Sequence, residues 1–179
     1  MAGTSFNDML PYIDTILKKR TMDSPKNYFM VFDIDDTVLR GSRDSVRPLA
    51  TGMYVLNEAQ RLGMDVYFVT ARPEYPENRL ATYEDLRAVG LEPNHTNVYM
   101  RPQTSDTWEK VGMSKSDAVD DIERVTGKRC LMTVGDQWTD HMYMTNTFRD
   151  ELDVATGNDF VIFKNPARGN WGLKLESYH

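Results

Sequence analysis

Hydrophobic and polar positions along the chain alternate between two periods. Residues 6–20 place Leu10, Ile13, Ile16 and Leu17 on one side of a 3.6-residue repeat, which predicts a short amphipathic helix. Lys18, Lys19 and Arg20 close it, suiting the negative end of a helix. The apolar run after it predicts a strand over 28–33. Residues 47–62 read as a helix stopped at Gly63, and 64–69 as a second strand. A helix over 77–89 ends at Gly90, and a third strand covers 97–101. Residues 114–126 form a further helix, capped by Ser114 and stopped near Gly127. A fourth strand covers 130–134, a short helix starts near Thr139, and a fifth strand covers 160–163. The tail from Asn165 is rich in Asn, Pro and Gly and is expected on the surface.

Strands that alternate with helices predict a parallel sheet covered by helices on both faces. Such folds bind ligands beyond the carboxyl ends of the strands, where the strand order reverses. The polar residues gather there. Asp33, Asp35 and Thr37 follow strand one, Thr70 and Arg72 strand two, Arg101 strand three, and Asp136 and Asp140 strand four.

Composition narrows the picture. With 179 residues, 40% of them hydrophobic, the chain suits one domain spanning 1–179 with a proper core. A formal net charge of −6 without a basic block argues against nucleic acid as a default partner. The lone Cys130 excludes an internal disulfide and reads as a buried, inert thiol. Residues 1–20 lack the apolar core of a signal peptide, and no stretch approaches a membrane span, so a cytoplasmic location is expected.

Candidate chemistry centres on Asp33-Ile34-Asp35-Asp36-Thr37. If the strand continues through the motif, Asp33 and Asp35 project to one side while Ile34 points away. Two neighbouring carboxylates repel, and a divalent cation is the natural group to hold them together. An EF-hand calcium loop fails, because Thr37 and Val38 stand where that loop needs an acidic or amide residue and glycine. The histidines His95, His141 and His179 lack zinc-like spacing, and His141 reads as a helix-surface residue. Trp108 and Trp138 read as core or edge packing.

Four segments in order resemble the haloacid dehalogenase (HAD) superfamily of phosphatases, over roughly residues 28–166. The first is the D-x-D-x-T motif at 33–37. Thr70 in Phe-Val-Thr-Ala-Arg is the second, Lys115 in Met-Ser-Lys-Ser-Asp the third, and Gly-Asp-Gln-Trp-Thr-Asp at 135–140 the fourth. The last phrase and the Lys-Ser before it are most similar to the acid-phosphatase branch, subfamily IIIB, which includes plant vegetative storage proteins. Phe-Lys-Asn-Pro at 163–166 resembles the usual end of such domains.

The resemblance implies a HAD-like Rossmannoid fold and a Mg²⁺-dependent phosphomonoester hydrolase working through an aspartyl-phosphate. Asp33 would be the nucleophile and Asp35 the general acid and base, its carboxyl turned from the metal and kept protonated by neighbouring carboxylates. Thr70 and Lys115 would hold phosphoryl oxygens, and Thr37, Arg72 and Arg101 are candidate substrate contacts. Asp33, Asp35 through its backbone carbonyl, Asp136 and Asp140 are the implied metal ligands. Neither the gap after Thr37 nor that after Thr70 has room for a separate cap domain, so the core reads as capless or minimally capped.

An uncapped site favours a larger phosphorylated ligand, or a homodimer whose second subunit serves as a lid, besides phosphorylated small molecules. Nucleic acid enters only as a phosphate-end substrate. Alternatives are a phosphotransferase of the same fold, a receiver-like phosphate-binding protein, and an inactive storage protein. A receiver carries its phosphorylated aspartate after strand three, where this chain has Arg101-Pro102.

Overall fold

The computed structural model describes residues 2–21, 24–41, 45–141, 153–157, 159–165 and 168–176. Chain order gives helix α1 (Ala2–Thr21), strand β1 (Tyr28–Phe32), a short hairpin of β2 (Leu39–Arg40) and β3 (Arg47–Pro48), helix α2 (Ala50–Arg61) and strand β4 (Asp65–Pro73). Helix α3 (Pro76–Ala88), strand β5 (Val98–Arg101), helix α4 (Trp108–Thr126) and strand β6 (Arg129–Gly135) follow. Strands β7 (Asp153–Thr156), β8 (Phe160–Asn165) and β9 (Asn170–Leu175) complete the order.

Among the described residues, seven strands form one sheet in the order β5-β4-β1-β6-β9-β8-β7. The five strands β5, β4, β1, β6 and β9 run parallel, β8 pairs antiparallel to β9, and β7 pairs antiparallel to β8. Strand β1 shows why both faces need helices. Phe29 and Val31 pack with Val119 and Ile122 of α4 on one face. Met30 and Phe32 join Ile13 of α1, Leu56 of α2 and Leu86 of α3 on the other. A strand buried on both sides reads as a continuous apolar run, and β1 does.

The expected parallel sheet with helices on both faces is present in five strands, and β8, antiparallel to β9, makes the whole a mixed, parallel-dominant sheet. The fifth expected strand, β8, does not lie beside β6. Its neighbours are β9 and β7. The expected surface tail supplies β9, which inserts between β6 and β8 with Leu173 and Leu175 fully buried. Alternation of Trp171, Leu173 and Leu175 with Gly172 and Lys174 carries this strand. Gly172 is required there, since a Cβ would fall 2.3 Å from the Phe163 ring.

Helix α4 also starts earlier than expected. Thr107 is its cap, accepting from the Lys110 N–H at 3.2 Å. Ser114 lies inside the helix, donating back to the Val111 carbonyl at 2.9 Å. Lys115 therefore sits in mid-helix rather than at a helix start. Gly127 ends α4 in the left-handed region at φ 69°, as expected. Between Thr37 and α2, the described residues hold only the β2–β3 hairpin, and between β4 and α4 only α3, β5 and a loop. Among the described residues, no helix is long and apolar enough to cross a membrane.

Candidate active site

The site lies beyond the carboxyl ends of β1 and β6, where the chain order reverses: β4 and β5 lie to one side of β1, and β6 to the other. Asp33 directly follows β1, and its N–H donates to the Val134 carbonyl of β6 at 2.9 Å. The chain then leaves the sheet. Ile34 is fully buried, and its carbonyl accepts from the N–H groups of Thr37, Val38 and Leu39. Asp36 holds φ at 59°, and its N–H donates to the Leu39 carbonyl. This turn is seated on α2 at Gly52, where a Cβ would lie 1.9 Å from the Thr37 carbonyl oxygen. Thr37 is itself buried.

The turn separates the two aspartates that a continued strand would have paired. Asp33 is 8% exposed, whereas the Asp35 side chain is 51% exposed. Asp35 is held by the Arg72 guanidinium as a two-pronged fork, Nε to Oδ2 at 2.9 Å and Nη2 to Oδ1 at 2.8 Å. Its charged neighbour is an arginine, not the crowd of carboxylates expected from the sequence.

On β6 the Gly135 backbone runs against the Asp140 carboxyl. The segment Trp138–Asp140 is a single 3₁₀ turn. The Gln137 N–H donates to Asp140 Oδ2 at 2.9 Å, and the Asp140 N–H returns to the Gln137 carbonyl at 3.0 Å. The turn is anchored from below by His141, which is buried rather than on a helix surface. Its Nε2–H donates to the Gly135 carbonyl at 3.2 Å, so Nδ1 accepts from the Thr133 hydroxyl at 2.8 Å. Burial pushes its pKa down to about 4, which keeps it neutral in that double role. Trp138 packs on Phe163, with its ring beneath Lys174 Nζ at 5.7 Å, whereas Trp108 stands exposed on α4. Whatever follows His141 up to residue 152, including the rest of the expected helix near Thr139, lies outside the described residues.

Asp33, Asp136 and Asp140 converge, with one carboxylate oxygen of each within 4.8 Å of the others. All three are buried. Lys115 reaches in from α4, its Nζ 3.2 Å from Asp33 Oδ1 and in direct contact with Asp140 Oδ1. Burial and the Asp140 charge raise Asp33 well above the ordinary carboxyl range, and the same two causes raise Asp136. Burial disfavours the Lys115 ammonium, but Asp140 and Asp33 outweigh it and keep its pKa above the usual value. Among the described residues, three carboxylates thus face one ammonium. This all-oxygen set fits a hard divalent cation, whose charge would offset the remaining excess.

The other candidates divide. Thr70 lies two residues beyond the last β1–β4 pair, is 2% exposed, and accepts from the Arg72 N–H at 3.1 Å. A threonine hydroxyl that accepts one hydrogen bond still has a proton it can donate. Arg101 sends Nε to the Ala71 carbonyl at 2.7 Å and Nη1 to the Ser105 carbonyl at 2.6 Å, tying β5 to β4 and to the following loop. The Asp35 carboxylate is not part of the three-carboxylate cluster. Sequence reasoning missed Gly52 and Asp85. A glycine inside a helix was a readable signal for the first. Nothing in the pattern marked Asp85, which is 4% exposed and pairs with Arg72.

A family model for the HAD superfamily, subfamily IIIB (acid phosphatase), matches residues 41–171. The match starts just after the 33–37 motif and runs into β9, past the 163–166 segment expected to end the domain. No curated protein matches the chain. Among solved structures, the class C acid phosphatase from Bacillus anthracis is similar at a TM-score of 0.55 and 15% identity, over 78% of this chain and 66% of that one. At that identity the likeness speaks for the fold, and the chain spans just under two thirds of that relative's length. With nearly three quarters of its length matched, the chain belongs to subfamily IIIB, the acid phosphatases, of the HAD superfamily.

Proposed function

We propose that the protein is a Mg²⁺-dependent phosphomonoester hydrolase that works through an aspartyl-phosphate on Asp33. The observation that carries this reading is the buried convergence of Asp33, Asp136 and Asp140 on Lys115 at the switch point of the sheet. Asp33, Asp136 and Asp140, with the backbone carbonyl of Asp35, are the groups that would hold Mg²⁺. When bound, the ion supplies positive charge that lets a carboxylate approach an anionic phosphate.

In the first step an Asp33 carboxylate oxygen attacks phosphorus and the bond to the ester oxygen breaks. Asp35, which takes up a proton and releases one arm of the Arg72 fork beforehand, delivers that proton to the departing oxygen, so an alcohol leaves. In the second step water attacks the phosphorus. Asp35 takes the water's proton, the bond to Asp33 breaks, and phosphate departs with the Asp33 carboxylate restored. The Lys115 ammonium, fixed beside Asp33, attracts the phosphoryl oxygens, and the Thr70 hydroxyl donates to one of them. Arg72 is occupied by Asp35, which favours a role in holding the acid over one in gripping phosphate. With no cap domain among the described residues to contact the distal part of a small ester, small aryl phosphates are expected to bind weakly. A larger phosphorylated ligand, or a second subunit, would add the missing contacts.

The test is turnover of 4-nitrophenyl phosphate before and after chelation. EDTA should abolish it and added Mg²⁺ restore it. Full turnover in chelator would refute the metal role, and none with Mg²⁺ would refute the hydrolase reading.

A further inference from the structure

The structure assigns Asp85 of α3 as a positioning residue that sets the general acid–base Asp35 through Arg72. This rests on the hydrolase reading above and goes beyond it. Arg72 leaves β4 and divides its guanidinium between two carboxylates. Nε and Nη2 make the fork to Asp35, while Nη1 donates to Asp85 Oδ2 at 2.8 Å and to Thr82 Oγ1 at 3.2 Å. Thr82 and Asp85 lie three residues apart on α3, so they share one face of that helix.

The burial gradient along this relay is informative. Asp85 has 6% of its side chain exposed, Arg72 17% and Asp35 51%. The anchored end is inside the protein, and the working end is at the surface of the site. Asp35 sits in a turn whose backbone is fixed by the Ile34 and Leu39 carbonyls, but those bonds leave its side-chain torsions open. The arginine fork closes them. A fork can define a direction only if its own stem is fixed, and Asp85 with Thr82 fixes it. A buried carboxylate is costly without a partner, and the Arg72 guanidinium supplies Asp85 with one. Catalysis by a general acid falls steeply with misplacement. An error of about 1 Å can cost about 100-fold.

The test compares two phosphate esters. A nitrophenolate leaves without needing a proton, whereas an alkoxide needs one. Asp85→Leu is expected to lower kcat/KM, which reports the first step, by about 10–100-fold with an alkyl phosphate and by less than about threefold with 4-nitrophenyl phosphate. In an Asp35→Asn background the same substitution should cost nothing further, because the group it positions is gone. Asp85→Asn keeps an oxygen for Nη1 and should recover most of the alkyl-ester activity. If Asp85→Leu does not fold, as judged by its melting curve, Asp85→Asn carries the test with a selective loss of about threefold. Equal losses with both esters, or an undiminished loss in the Asp35→Asn background, would overturn the assignment and leave the hydrolase reading standing. A wild-type protein that turns over neither ester would overturn both.

Discussion

Gly135→Ala should disable the site without unfolding the protein. The added Cβ would lie 2.2 Å from Asp140 Oδ2, 2.4 Å from its Cγ and 2.5 Å from its Cβ. Ordinary contact begins near 3.4 Å, so the whole Asp140 side chain has to retreat by about 1.2 Å. That is not the swing of a flexible tip, since the innermost side-chain atom is involved too. Asp140 would give up its contact with Lys115 and its acceptance from the Gln137 N–H. Lys115 would then keep only Asp33. Overpacking of this kind costs about 1–3 kcal/mol of stability, which a domain of this size survives. A shift near 1 Å in a catalytic constellation costs about 100-fold in rate. The assay is kcat/KM for 4-nitrophenyl phosphate across a Mg²⁺ titration, with a melting curve beside it. The expected result is a loss of about 100-fold, weaker Mg²⁺ dependence, and a clear cooperative melt. A variant within twofold of wild type at the same Mg²⁺ concentration would refute the claim that Gly135 and Asp140 set the site.

Other expectations follow from buried groups. His141 titrates near 4 when folded, against an ordinary value of 6.5, because burial disfavours its charged form. The unfolded chain therefore takes up the proton first. The stability this contributes is present above about pH 6.5 and is lost as pH falls towards 4, with a span of about 3 kcal/mol. Chemical denaturation of wild type and His141→Gln should show their stability difference shrinking over that window, and a difference independent of pH would contradict the buried neutral role. Burial lifts the Cys130 thiol to about 12, so iodoacetamide at pH 8 should label it only after denaturation. Rapid labelling of the folded protein would show that β6 is more open than its packing implies.

Much of this site was readable from residue order. The apolar run before Asp33, the strand before Gly135 and the strand before Thr70 each end in polar groups, and a parallel sheet brings such ends together. Lys115 came from the motif order, and the structure brings it to Asp33 and Asp140. What the pattern hid was local geometry. The period of two was carried one step too far at Asp33, because Ile34 packs into the core and bends the chain into a turn. Asp35 then meets Arg72, a partner 37 residues away that no local rule could name. His141 carries no apolar signal, yet it is buried because both ring nitrogens find partners on β6. The tail was read from its Asn, Pro and Gly content. Its alternation of Trp171, Leu173 and Leu175 was the stronger signal, and it places β9 inside the sheet. Ser114 looked like a cap by type, but Thr107 holds that place because helix α4 begins two turns earlier.

The central claim is that Asp33 becomes covalently phosphorylated during turnover. Acid-quenching the protein during turnover of a ³²P-labelled phosphate ester tests it, with the labelled peptide located by mass spectrometry. Label should appear on Asp33 in wild type and be absent from Asp33→Asn. It should accumulate in Asp35→Asn with a good leaving group, because the second step needs Asp35 to take a proton from water. Steady hydrolysis by Asp33→Asn, or label on another residue, would contradict the account.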